Sequence, residues 1–225
     1  MSAVAAAQHA DAHEAHGPES WPEDVHLGTA SLGKIGMWIF LLSDALSFAG
    51  LLLAYGILRG GAAVWRHPGE PPLGINFTAG LTFLLICSSV TMVLAHAAAV
   101  EGKRKETVRY LLLTIMGGLL FLCGQYQEYF GIWSHGLTKE GLVFGQSAYA
   151  STFYLITSFH GCHVFTGVCY LSVMAVRTAL GKYDGGKHDH IEILGLFWHF
   201  VDLIWIIVFT LVYLIPVTAP AMGPA

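Results

Sequence analysis

Five apolar runs dominate the chain, at about 35–58, 77–100, 110–129, 147–176 and 193–215, with short polar stretches between them. Lys34 and Arg59 bracket the first run, and Pro71, Pro72 and Asn76 open the second, which Glu101 closes. Arg109 precedes the third, and Pro216 stops the last. Each run meets the requirement of roughly 20 apolar residues for a helix that crosses a bilayer. The runs are apolar around the whole helical turn rather than along one stripe, as segments bathed in hydrocarbon are. The fourth is longer than a span needs, so it is expected to tilt or protrude. The pattern predicts an all-α, integral membrane bundle of five transmembrane helices over residues 33–217. It would be flanked by a flexible N-terminal tail (1–32) and a short C-terminal tail (218–225).

Composition agrees with the pattern. Of 225 residues 55% are hydrophobic and 12% charged, with a mean hydropathy of +0.59; a soluble domain carries about twice that charged fraction. So few charges cannot give a globule of this size a wettable surface, which argues against a soluble enzyme and a disordered protein. The net charge of −4 offers no basic footprint for a nucleic acid. Cys87, Cys123, Cys162 and Cys169 all lie inside apolar runs and form no CxxC pair. Cys162 and Cys169 stand roughly 10 Å apart along one helix, beyond disulfide reach. All four are expected to be free, buried thiols.

Basic residues set the expected topology. Lys34, Lys103, Arg104, Lys105, Arg109, Arg177, Lys182 and Lys187 would share one side, and only Arg59, Arg66 and Lys139 the other. That split predicts a cytoplasmic N-terminus and, with five spans, a C-terminus on the periplasmic or extracellular side. Trp65, Tyr129, Trp133 and Tyr149 gather near span ends on the outer side, where an aromatic belt is expected. Residues 1–26 have no Lys or Arg, so they lack the positive region of a secretory signal. His9, His13 and His16 in this tail are read as solvated rather than as metal ligands.

Polar groups in hydrocarbon are costly, so function is sought there. Asp44 sits near the middle of the first span; a carboxylate at that depth must be protonated or paired, either as a protonatable site or as a neutral acid bonded to Ser43 or Ser47. His160 and His163 share one face of the fourth span. His199 and Asp202 are three apart in the fifth, so that the carboxylate could orient the imidazole. His96 ends the second span, and Gln125 and Glu128 close the third. Gly161 and Gly167 would allow a close helix approach. Two uses fit the histidines: axial ligation of a b-type haem, which needs two imidazoles facing across a gap, and hydrogen bonding between helices. No carboxylate-rich or thiolate set converges to suggest another metal.

From Gly36 onward the chain resembles subunit III of the haem–copper terminal oxidases. The stretches that carry the resemblance are GMWIFLLSDALSFAGLL, INFTAGLTFLLICSSVTMVLAHAA, GQYQEYF, YASTFYLITSFHGCHVFTGVCYL and FWHFVDLIWIIVFTLVY, one in each span. The paired FHGxHVxxG and WHFVDxxW patterns are its most specific part. The resemblance implies a non-catalytic subunit of an aerobic respiratory oxidase, a cytochrome c oxidase or one fed by quinol. It would pack on subunit I, with subunit II and other oxidase subunits beside it and a larger respiratory supercomplex as a further setting. It implies bound phospholipid, support of proton uptake, and a place in the bacterial plasma membrane. No cofactor is expected in this chain, with haem and copper in the partner subunits. The chain is similar to the short five-span form, without the first two helices of longer members. By position Asp44 stands where the family has an intramembrane Glu, as the protonatable residue. Glu128, His160, His163, His199 and Asp202 fall on other family motif positions, expected with His96 to make structural, lipid or subunit contacts. Lys103, Arg104, Lys105 and Arg109 are expected to meet lipid headgroups. An accessory subunit of a nitric oxide reductase and an independent b-type cytochrome or proton-coupled carrier are the other readings.

Overall fold

A computed structural model of the chain describes residues 32–131, 136–182 and 189–215. The two tails, with His9, His13 and His16, lie outside the described residues, as do Trp133 and Lys187. Among the described residues every regular element is helical: α1 (Leu32–Gly61), α2 (Ile75–Val100), α3 (Arg104–Phe130), α4 (Ala148–Ala179) and α5 (Asp189–Val208). The last of these runs on as a π-helical turn, Phe209–Leu214. All five are long and apolar enough to cross a membrane.

Most helices begin or end beyond the apolar runs that mark them. α3 starts at Arg104, within a basic first turn, and α5 starts at Asp189. Hydropathy marks where hydrocarbon lies, whereas a helix continues into the polar zone where long side chains reach water. At about 1.5 Å per residue α4 is roughly 48 Å long, against about 30 Å of hydrocarbon. Its start is set by Ser147, whose Oγ accepts from Ala150 N at 3.0 Å and satisfies one open amide of the first turn. α3 ends at Gly131, whose left-handed backbone (φ 59°) lets its N–H close on the Gln127 carbonyl at 2.8 Å.

α2, α3 and α4 pack in sequence as neighbours, and α5 packs against α1, α2 and α4. α1 rests on α4 and α5. The most apolar stretch of α5 is 56% buried and that of α1 only 17%. α5 is therefore the centre of the bundle and α1 an outer member. Trp198 and Trp205 of α5, with Phe48, Phe121 and Phe153, are fully buried. Space for Trp198 comes from two glycines: a Cβ on Gly118 would stand 2.7 Å from its Cη2, and one on Gly167 2.9 Å from its Cζ3. Gly161 instead faces Gln125 of α3.

Large apolar side chains such as Trp38, Leu46, Phe83, Phe165 and Leu203 point outward, as a hydrocarbon solvent allows. Two expectations fail on the same ground. All four cysteines are free but exposed rather than buried, because in an all-apolar helix a thiol faces lipid as readily as a neighbour. Trp65 and Tyr149 do not line an outer belt; both are buried, edge to face, with Trp65 also against Tyr55.

Candidate functional site

The polar residues of the spans fall into three groups. In the first, Asp44 of α1 meets His163 of α4, with Oδ1 and Nε2 3.0 Å apart. Ser43 and Ser47 do not partner the carboxyl; the Ser47 hydroxyl donates to the Ser43 carbonyl. His163 Nδ1 lies 2.7 Å from the Phe159 carbonyl, which can only accept, so that nitrogen carries a hydrogen. The contact on the other nitrogen then needs one proton of its own, either on Asp44 facing a neutral imidazole or on Nε2 facing a carboxylate. Asp44 and His163 therefore hold a single shared proton, and Asp44 Oδ2 is buried without a described partner.

His160, one turn away on α4, is fully buried and neither ring nitrogen has a described partner. Its ring stacks on Trp205 at 4.8 Å and takes the edges of Phe121 (5.8 Å) and Phe48 (6.4 Å). These aromatic rings pack around the imidazole. His163 is engaged on both nitrogens, and among the described residues no group of three His, Cys, Asp or Glu could hold a metal ion.

The second group joins α2 to α5. Ser89 Oγ lies 2.6 Å from His199 Nδ1 and also bonds the Asp202 carboxyl, so a hydroxyl of the neighbouring helix links the two side chains. Asp202 is buried, and its Oδ1 has no described partner. The two indoles also reach α2: Trp198 Nε1 donates to Ser88 Oγ at 3.2 Å and Trp205 Nε1 to Thr82 Oγ1 at 3.0 Å. His96 is apart from these groups, half-buried with Nδ1 unpartnered among the described residues.

The third group closes the opposite end of α3. Glu128 is buried, with Oε1 accepting from Thr78 of α2 and Oε2 from Tyr213, each at 3.1 Å. Tyr213 stands on the π-helical turn, which widens the end of α5. Gln125 donates from Nε2 to the Thr157 carbonyl (2.7 Å) and to the Tyr129 hydroxyl (3.0 Å), tying α3 to α4. None of Thr78, Ser89, Thr157 or Tyr213 is singled out by the sequence reading, since hydroxyl residues are common in apolar helices and carry no signal by themselves.

Lys103 in the α2–α3 connection and Arg104, Lys105 and Arg109 in the first two turns of α3 are exposed. Glu101 lies 2.7 Å from Lys103 and holds its ammonium above the usual lysine range. At the same end Lys34 of α1 meets Glu192 of α5 at 2.8 Å.

Comparison with known proteins gives the family. The family model for cytochrome c oxidase subunit III matches residues 25–217. Cytochrome c oxidase subunit 3 of Synechocystis sp. is 35% identical over 203 residues, covering 90% of this chain and 80% of that protein. A probable cytochrome c oxidase subunit 3 of Mycobacterium tuberculosis is 33% identical, with 84% of this chain and 91% of that protein covered. The Corynebacterium diphtheriae protein is 32% identical at the same coverage. A five-helix membrane bundle whose buried polar side chains join its helices, matched along nearly its whole length, belongs to the cytochrome c oxidase subunit III family.

Proposed function

We propose that this chain packs on subunit I of a respiratory oxidase in the bacterial plasma membrane, binds phospholipid there, and supports proton uptake and the stability of the complex. Cytochrome c is the donor in this reading and quinol the alternative. The N-terminus would face the cytoplasm and the C-terminus the opposite side, by the distribution of basic residues. Haem and copper would belong to the partner subunits.

The observation that carries the subunit contact is a half-used imidazole on α5. His199 is half-buried and its Nδ1 is taken by Ser89, while no described group meets its other ring nitrogen. A hydrogen-bonding group left short is costly in hydrocarbon, and a neighbouring subunit's helix would complete it. Lys105 and Arg109, exposed beside Lys103 and Arg104, suit anionic headgroups. Asp44, with its shared proton, is the protonatable group of the reading, and Glu128, His160, His163 and His96 are structural.

The test is affinity purification of the complex carrying His199→Ala or Asp202→Ala. Recovery of subunit I with this chain should fall, while the haem and copper absorption of the remaining complex is kept. Undiminished recovery, or loss of a redox centre from an assembled complex, would refute the reading.

A further inference from the structure

An open groove of about 350 Å³ runs between α3 and α4 on the outer face of the bundle. Its volume is that of a small-molecule site, and its walls are mainly apolar. Tyr126 and Phe165 supply aromatic surface, while Gln125, Tyr129 and Ser158 supply polar atoms at its floor. By residue count Gln125 lies about one and a half turns inside the end of α3, and Ser158 about three turns inside the start of α4.

The hydrogen-bond inventory of the floor defines what it can take. The Gln125 amide has a determined orientation, because the Thr157 carbonyl can accept only from Nε2. The second hydrogen of Nε2 goes to Tyr129. The amide oxygen Oε1 therefore turns the other way, toward Gly161, where a Cβ would stand 2.9 Å from it. No described group donates to Oε1, although Gln125 is 95% buried by its 5% exposure. The Tyr129 hydrogen is used as well: Tyr129 lies 2.6 Å from Thr157 Oγ1, whose own hydrogen goes to the Phe153 carbonyl. Ser158 Oγ is exposed and only 3.4 Å from Tyr129, a weak contact that leaves it available.

The floor thus offers a positioned acceptor without a donor, with a second hydroxyl oxygen nearby and aromatic walls above. We propose that the α3–α4 groove is a binding site for a membrane quinol, held by donation from a ring hydroxyl to Gln125 Oε1. A phospholipid ester or a quinone carbonyl has only acceptors and cannot satisfy Oε1. A quinol brings the missing donor, its flat ring suits the walls formed by Tyr126 and Phe165, and its tail can follow the groove into the membrane.

The experiment uses the intact oxidase complex in phosphatidylcholine nanodiscs, labelled with a photoreactive azidophenol carrying a decyl chain and mapped by mass spectrometry. Label is expected on peptides covering 122–130 and 158–166. Decylhydroquinone should displace it at least tenfold more effectively than its 1,4-dimethyl ether, which keeps the ring and loses both donors. Gly161→Ala, which crowds Oε1, should abolish most of the displaceable label. If that variant does not assemble, Ser158→Ala, a change at an exposed position, decides the point by a several-fold loss. Equal displacement by the ether, displacement by phosphatidylglycerol, label unaffected by Ser158→Ala, or no label on these peptides because a partner helix covers them would each overturn the proposal.

Discussion

Asp44 Oδ1 lies 3.0 Å from His163 Nε2, joining an outer helix to the fourth span through one shared proton. Since the Phe159 carbonyl determines the hydrogen on Nδ1, the residue facing Nε2 in the neutral state must be a donor. Asp44→Asn keeps a donor in place and should be nearly neutral. Asp44→Ala leaves Nε2 without a partner and should cost about 1–2 kcal/mol, the scale of a hydrogen bond between membrane helices. Thermal unfolding of the detergent-solubilised complex measures the difference, and equal effects of the two substitutions would contradict the proton assignment.

Glu128 carries a second prediction. Tyr213→Phe removes the hydrogen that meets Oε2 and leaves the buried carboxyl with Thr78 on its other oxygen. The expected cost is about 1–3 kcal/mol, that of stranding a buried acceptor. Thr78→Val should act in the same direction through Oε1. The double variant should cost less than the sum of the two, because both serve one group.

Packing around Trp198 gives a sharper contrast. Gly118→Ala places a methyl 2.7 Å from both Trp198 Cη2 and Val168 Cγ2. These are parts of packed helices with little room to yield, so a loss of about 1–3 kcal/mol is expected. Gly36→Ala meets nothing within 4 Å and should leave stability unchanged or slightly raised, since alanine favours the helix. Parallel melting curves of the two variants check this.

The ion pair between Lys34 and Glu192, at 2.8 Å, is partly exposed to solvent. A double-mutant cycle with Lys34→Ala and Glu192→Ala should return a coupling of at most about 1 kcal/mol. It should shrink further at high salt. A larger, salt-independent coupling would mean that the end of the bundle is shielded from water.

The spans were legible because hydrocarbon imposes one rule on every residue of a run, and the helices differ from it chiefly at charged ends such as Arg104 and Asp189. That Asp44, His163 and Glu128 would have polar partners was legible for the complementary reason, that an ionisable group at such depth needs one. The partners themselves were not. Pairing of Asp44 with His163 depends on how α1 and α4 face each other, which no local pattern encodes. Ser89, rather than the Asp202 three residues away, meets His199 because α2 presents its hydroxyl there. The cysteines and the pair Trp65 and Tyr149 show the same gap in reverse: depth could be read from the chain, but the side of the helix could not.

The placement of α1 bears on the order in which the bundle is built. This helix is the first of the five to leave the ribosome, yet the elements it packs on, α4 and α5, are synthesised last. Until residue 163 has emerged, the acid at position 44 has no imidazole to share its proton with, and Lys34 has no Glu192. Biogenesis must therefore hold the leading segment unfinished in the bilayer while three more segments insert, and the fold locks only when the last two helices meet the first.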